Sequence, residues 1–245
     1  MAKSLLFHIG TSGWMYDHWR GIFYPDGISQ SEMLSFYAKS FDTVEVNNTF
    51  YQLPKAKSVQ QWEDKVPRNF LFVIKANRYI THMKNLKEVK KPLKNLLDTV
   101  GLLKKRLGPV IFQLPPNWQV NTKRLEDFLD ILPKRQKYVF EFRHPSWYRK
   151  RIFDALKKNN VALCIHDHAQ GKSPEKLTTG FIYIRLHGPH GAYSNKYSKS
   201  QIKKWAEKIK KWQKKGIEVF CYFNNDARAF AIENAKELKN LLNIK

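Results

Sequence analysis

The chain has 245 residues, 42% of them hydrophobic and 14% aromatic, which is enough to bury a sizeable core and excludes a disordered or collagen-like chain. Lys plus Arg total 44 against 21 Asp plus Glu, a net charge of +23, so the field favours polyanions, phosphorylated small molecules or anionic surfaces as partners. Only Cys164 and Cys221 are present, both inside apolar runs, which argues against a disulfide scaffold and a cysteine-based zinc site.

In chain order, short runs rich in β-branched and aromatic residues predict strands at Leu5–Gly10, Asp42–Asn47, Phe70–Asn77, Pro109–Leu114, Tyr138–Arg143, Val161–Asp167, Gly180–His187 and Ile217–Asn224. Apolar residues spaced by three and four predict helices at Gln30–Ser40, Ser58–Val66, Val89–Leu107, Thr122–Leu132, Ser146–Asn159, Lys199–Lys215 and Asp226–Leu242. Strand–helix alternation is the pattern of βα units around a parallel sheet. Eight units fit a single-domain (β/α)₈ barrel, which typically takes about 250 residues. The sixth crossover is irregular, because His168-Ala169-Gln170-Gly171-Lys172-Ser173-Pro174-Glu175 is polar and reads as a loop. No linker or internal repeat divides residues 1–245.

The N-terminus is too poor in apolar residues for a signal peptide, and no stretch approaches the roughly 20 apolar residues of a membrane span. A cytoplasmic protein without a membrane partner is therefore expected. Lys203, Lys204, Lys208, Lys210, Lys211, Lys214 and Lys215 fall on what reads as one outer helix. That charge serves either solubility or nucleic-acid phosphates.

Strands covered outside by helices should carry apolar residues outward, leaving polar residues for the interior. Thr43, Glu45 and Asn47 alternate with Val44 and Val46; Lys75 and Asn77 with Ile74 and Ala76; Glu141 and Arg143 with Phe140 and Phe142; Tyr183, Arg185 and His187 with Ile182, Ile184 and Leu186. Gln113 ends the fourth strand, His166 and Asp167 the sixth, and Asn224 the eighth, ahead of Asn225 and Asp226. All lie at carboxyl ends, the face where barrels of this kind build their sites. A mutually paired plug of charges is the competing reading, although buried ion pairs fill a core inefficiently.

Six blocks carry a family resemblance. They are Ile9-Gly10-Thr11-Ser12-Gly13-Trp14, Val44-Glu45-Val46-Asn47-Asn48-Thr49-Phe50-Tyr51, Gly108-Pro109-Val110-Ile111-Phe112-Gln113-Leu114-Pro115-Pro116, Glu141-Phe142-Arg143-His144-Pro145-Ser146-Trp147, Arg185-Leu186-His187-Gly188 and Tyr222-Phe223-Asn224-Asn225-Asp226. In content and order they resemble the YecE-like family, domain of unknown function 72. The resemblance implies a TIM-type barrel and no particular activity. It carries over Gly13, Trp14, Glu45, Asn47, Lys75, Gln113, Glu141, Arg143, Arg185, His187, Asn224 and Asp226 as site residues.

The chemistry these residues suggest is that of an enzyme acting on a small anionic or phosphorylated substrate, as a hydrolase, lyase or isomerase. Glu45 and Glu141 come from facing strands and are the acid–base candidates. A glycosidase would need that pair and a stacking aromatic, for which Trp14, Trp19, Trp118 and Trp147 are available. Lys75 is the third catalytic candidate, as a Schiff-base amine or, more simply, as an ion-pair partner of Glu45. Arg143, Arg185 and His187 are expected to hold the anion. Gly188, His190 and Gly191, with the amides of Asn225 and Asp226 opening the last helix, add a phosphate-loop candidate. Trp14, Asn47, Gln113, Asn224 and Asp226 complete the substrate contacts. A metal would have to draw on Glu45, Glu141, Asp167 and His187 beside three cations, so none is expected, nor is a cofactor. The alternative function is a nucleic-acid binder or processing factor using the basic helices and rim aromatics.

Overall fold

The computed structural model describes residues 7–168, 171–189, 193 and 195–244. Its strands are β1 (Phe7–Thr11), β2 (Thr43–Val46), β3 (Leu71–Lys75), β4 (Leu107–Gln113), β5 (Tyr138–Glu141), β6 (Ala162–His168), the two-residue β7 (Gly171–Lys172), β8 (Phe181–Leu186) and β9 (Glu218–Phe223). Seven helices, α1 (Met33–Tyr37), α2 (Ala56–Asp64), α3 (Lys90–Gly101), α4 (Thr122–Asp130), α5 (Lys150–Lys158), α6 (Lys199–Gln213) and α7 (Phe230–Leu241), lie in the connections. Parallel pairing runs in the order β1-β9-β8-β6-β5-β4-β3-β2, with β7 folded antiparallel onto β6. The two ends of this order nearly meet, giving the expected eight-stranded α/β barrel. Of the predicted first strand, Leu5 and Leu6 lie outside the described residues.

The seam between β1 and β2 has a bridge between Ser12 and Glu45, with the Gly13 amide donating to the Glu45 carbonyl at 2.7 Å. The buried Tyr37 hydroxyl of α1 accepts from the Thr11 amide at 3.0 Å and donates to the Thr43 carbonyl at 3.1 Å. A Cβ on Gly10 would stand 2.4 Å from that same carbonyl, so only glycine allows β1 to come this close.

The core has two layers. Outward strand residues such as Val44, Ile74, Phe112, Phe140 and Ile184 pack under the helices. Inside the barrel, Val73, Ile111, Val139, Cys164, Phe181, Tyr183, Phe220 and Tyr222 form a second apolar cluster. It fills the amino-terminal part of the interior and leaves the polar residues stacked above it at the carboxyl ends.

Among the described residues the sixth crossover has no helix. Ser173 and Thr178 take its place along β6: the Ser173 hydroxyl accepts from the His166 amide at 2.8 Å, and the Thr178 hydroxyl accepts from the Leu163 amide at 2.9 Å and donates to the Val161 carbonyl at 2.7 Å. Side-chain hydroxyls thus satisfy backbone groups along β6.

Several predicted helices are shorter than their apolar periodicity. Gln30–Ser40 contracts to α1, which follows a turn where Glu32 accepts from both the amide and the hydroxyl of Ser29. Asp226–Leu242 contracts to α7 because Arg228 (φ 52°) and Ala229 (φ 56°) adopt left-handed backbone just before it. The Asp226 carbonyl is held by the Trp19 indole at 2.8 Å, which draws the chain out of helical register. By contrast α6 begins one residue after Ser198, whose capping box with Gln201 satisfies the first turn.

Candidate functional site

Arg185 on β8 is the centre of the polar layer. Its guanidinium donates to Glu141 Oε2 at 2.6 Å, to Glu45 Oε1 at 2.8 Å and, at 3.4 Å, to Gln113 Oε1. Glu45 also accepts from Ser12 Oγ at 2.7 Å and Tyr183 OH at 2.6 Å. Glu45, Glu141 and His187 are 0% exposed and Arg185 is 1% exposed. The two carboxylates therefore face each other across a guanidinium rather than across a substrate-sized space, and both are committed to it.

A second guanidinium completes the network. Arg143 Nε forms an ion pair with Glu141 Oε1, and Arg143 Nη2 donates to His187 Nε2 at 3.0 Å. Arginine has no acceptor, so His187 Nε2 accepts in this contact, and the other ring nitrogen, Nδ1, lies 3.0 Å from the Asn224 side-chain nitrogen. Burial and the neighbouring Arg185 hold His187 well below the usual histidine range, so it is neutral. Burial by itself would raise the Glu141 carboxyl, yet Arg143 and Arg185 hold it well below its usual value.

Lys75 stands apart from this pairing. Among the described residues no carboxylate lies within ion-pair distance of it, so the expected bridge to Glu45 is not formed; Arg185 has taken that carboxylate. Its ammonium nitrogen lies 4.2 Å from the centre of the Phe50 ring. Burial, with Arg185 adding repulsion, lowers its pKa to about 7.

Beside Arg143 a cleft of about 130 Å³ is lined by Tyr148, His166, His168 and Lys172. His166 Nε2 contacts the Phe142 carbonyl at 3.0 Å and the Tyr148 hydroxyl at 2.9 Å, while its buried Nδ1 has no hydrogen-bond partner among the described residues. Burial holds His168 at about 4, with Arg143 adding to the effect. Trp14 and Asn47 line a different cleft of about 230 Å³ at the seam, with Gly13, Tyr16 and Tyr51.

Asp226 does not join the network. Its carboxylate pairs with His18 at 3.6 Å, and its carbonyl serves Trp19. The phosphate-loop expectation is corrected here: α7 starts at Phe230, so the amides of Asn225 and Asp226 do not open it. His190 and Gly191 lie outside the described residues. Trp19 and Trp147 are fully buried and donate to the carbonyls of Asp226 and Trp118; they cap the barrel and are closed to a sugar.

Outside the barrel, a groove of about 430 Å³ between the sixth crossover and α6 holds Lys172, Lys204, Lys208, Lys211 and Trp205, with Asp167, Glu175 and Glu207 interspersed. Among the described residues, no three His, Cys, Asp or Glu side chains converge as a metal would require, and no helix is long and apolar enough to cross a membrane.

The sequence reading missed Ser12, Phe50 and Tyr148 as site residues. Ser12 and Phe50 sit in the quoted blocks, but only the seam bridge brings Ser12 to Glu45. Phe50 reaches Lys75 because residues 48–50 form a short 3₁₀ turn directly after β2.

Comparison with known proteins agrees with this architecture. A family profile described as "Protein of unknown function DUF72" matches residues 8–245. The UPF0759 protein YunF of Bacillus subtilis (strain 168) is 25% identical over 98% of this chain and 95% of its own length. The UPF0759 protein YecE of Escherichia coli (strain K12) is 31% identical over 146 residues, 59% of this chain and 51% of YecE. Among solved structures, a DUF72 family protein from Thermotoga maritima MSB8 superposes with a TM-score of 0.87 at 27% identity, covering 97% of this chain and 99% of that one. With the same barrel and a match running through every strand, the chain belongs to the DUF72 family of proteins of unknown function.

Proposed function

We propose that the protein is an enzyme that binds a small anionic substrate at the barrel mouth, above the Glu45–Arg185–Glu141 cluster. The observation that carries this is a charge imbalance. Two carboxylates, Glu45 and Glu141, meet two guanidiniums, Arg185 and Arg143, and Lys75 is a further basic group, cationic when an anion beside it favours its protonated form, without an ion-pair partner among the described residues. An anion reaching Arg143 and Lys75 supplies the missing negative charge. Lys75 is partly exposed and the Arg143 side chain keeps 7% of its surface open, so a ligand can reach them from the mouth.

Glu45 and Glu141 then act by position. They fix Arg185 and hold Arg143 against neutral His187, so that donors stand ready before the ligand arrives. Gln113 and Asn224 add neutral hydrogen-bonding capacity at the same level, and Trp14 and Asn47 border the seam side of the mouth.

The test is a thermal-shift and calorimetric titration with phosphate, sugar phosphates and 2-oxo acids on the wild type, Arg143→Ala and Lys75→Met. Stabilisation of the wild type that is lost in Arg143→Ala supports the reading. An equal response in all three proteins overturns it. Oligonucleotide binding untouched by either change would move the function to the lysines of α6 instead.

A further inference from the structure

We propose that Lys75 is a carbonyl-reactive amine and that the substrate is a small anionic aldehyde or ketone, of the class of 2-oxo acids and phosphorylated aldehydes. The inference rests on the anion-binding reading above and specifies its substrate and its reacting atom.

Two geometric facts converge on Lys75, and its electrostatic surroundings add to them. Both carboxylates of the layer are already bound, Glu45 by Arg185, Ser12 and Tyr183 and Glu141 by Arg185 and Arg143. The face of Phe50 covers the amine at 4.2 Å, which replaces water by a ring. Its charged neighbours are both guanidiniums and both carboxylates, and Arg185 outweighs either carboxylate. A protonated amine in these surroundings lacks both a counter-ion and full hydration, so the neutral, nucleophilic form is favoured. The pKa of about 7 agrees with that geometry.

Arg143 provides the other half of the recognition. Its Nε is held by Glu141 and its Nη2 by His187, a fixed fork suited to a carboxylate or phosphate. With the anion on Arg143, the carbonyl carbon is presented to Lys75. The Nζ lone pair forms a bond to that carbon as the carbonyl π electrons move to oxygen. The oxygen then leaves as water, taking both amine protons, and a C=N bond replaces C=O. No oxidant or reductant is consumed. The imine, once protonated, draws electrons from adjacent bonds, which is the purpose of such an adduct in catalysis.

The experiment traps the adduct on the wild-type protein. The chain is incubated at pH 7 with glyoxylate, pyruvate or pyridoxal 5′-phosphate, reduced with borohydride, digested and mapped by mass spectrometry. Lys75 is expected to gain the mass of the carbonyl compound less one oxygen atom, at least about tenfold faster than exposed Lys214, because an amine with a pKa near 7 is far less protonated at this pH than an ordinary lysine. Arg143→Gln is expected to slow labelling by these anions but not by neutral propionaldehyde. Labelling of Lys75 no faster than Lys214 overturns the inference. Equal sensitivity of anionic and neutral aldehydes to Arg143→Gln overturns its anionic part. If phosphate still stabilises the wild type through Arg143 while Lys75 is not trapped, the binding reading stands and this inference alone falls; if phosphate has no such effect, the binding reading falls with its own test.

Discussion

The Lys75 nitrogen lies 4.2 Å above the Phe50 ring and within ion-pair distance of no described carboxylate, a poor place for a permanent positive charge. Its pKa of about 7 is below the ordinary lysine value of 10.5, with burial the largest cause. The native amine therefore binds its proton less tightly than the unfolded one, so stability rises with pH between about 7 and 10.5 and the native state is penalised below about 7. Lys75→Met is expected to stabilise the fold at pH 6 by on the order of 2 kcal/mol, with most of the gain gone by pH 10. Urea titrations at pH 6, 8 and 10 measure this. A constant difference at all three values would show that Lys75 does not titrate in the native protein.

Arg185 presents the opposite case, a cation with two buried partners. Removing it leaves Glu45 and Glu141 in the barrel interior with much of their compensation gone. Arg185→Met is expected to cost about 3–5 kcal/mol, the range for breaking a buried ion pair from one side. Adding Glu45→Gln to that variant should recover part of the loss, since the stranded charge goes with it. A double variant less stable than Arg185→Met alone would mean that Glu45 earns its place through Ser12 and Tyr183 rather than through Arg185.

Most of the barrel was legible because outward positions such as Val44, Ile74 and Phe140 had to be apolar, which left Glu45, Lys75, Glu141 and Arg185 for the interior. Alternation places a residue on a face, however, and says nothing of which charge meets which. That Arg185 would take both carboxylates and leave Lys75 without one depends on side-chain length and on Tyr183 and Ser12 approaching from other strands. The failed helix opening at Asp226 has a similar origin. Apolar spacing extended through residues 226–229, but the indole of Trp19, more than two hundred positions earlier, holds the Asp226 carbonyl. Ser173 falls in the segment that reads as a loop and Thr178 just beyond it; their service to β6 is a tertiary hydrogen-bonding role with no periodic signature.

Glu141 sets the acid limit of the polar layer. Its folded pKa lies well below 4.5, burial opposing the shift and Arg143 and Arg185 imposing it. A depressed carboxyl contributes stability that is complete above the unfolded value and is lost as pH falls toward the folded one. Glu141→Gln is expected to destabilise the protein at pH 7 and to flatten the fall in stability below about pH 4.5. Chemical denaturation followed from pH 7 to pH 3 tests both. A variant with an unchanged acid slope would assign acid sensitivity to other carboxylates.

The final prediction concerns the seam, because the position of Glu45 depends on it. The Tyr37 hydroxyl joins Thr11 of β1 to Thr43 of β2, one residue from Ser12 and two from Glu45, which are themselves hydrogen-bonded at 2.7 Å. Tyr37→Phe keeps the ring packing against Phe41 and Phe70 but strips a buried amide and a buried carbonyl of their shared partner. A loss of about 2–3 kcal/mol is expected from the unsatisfied groups. Amide exchange should accelerate at Thr11 more than at Ile74, which is held within the β3 ladders. If the seam positions Glu45, the same variant should weaken the phosphate response of the mouth, although Tyr37 touches no ligand. Faster exchange at Thr11 with an undiminished phosphate response would separate barrel closure from site geometry, leaving Arg185 to hold Glu45 without help from β1.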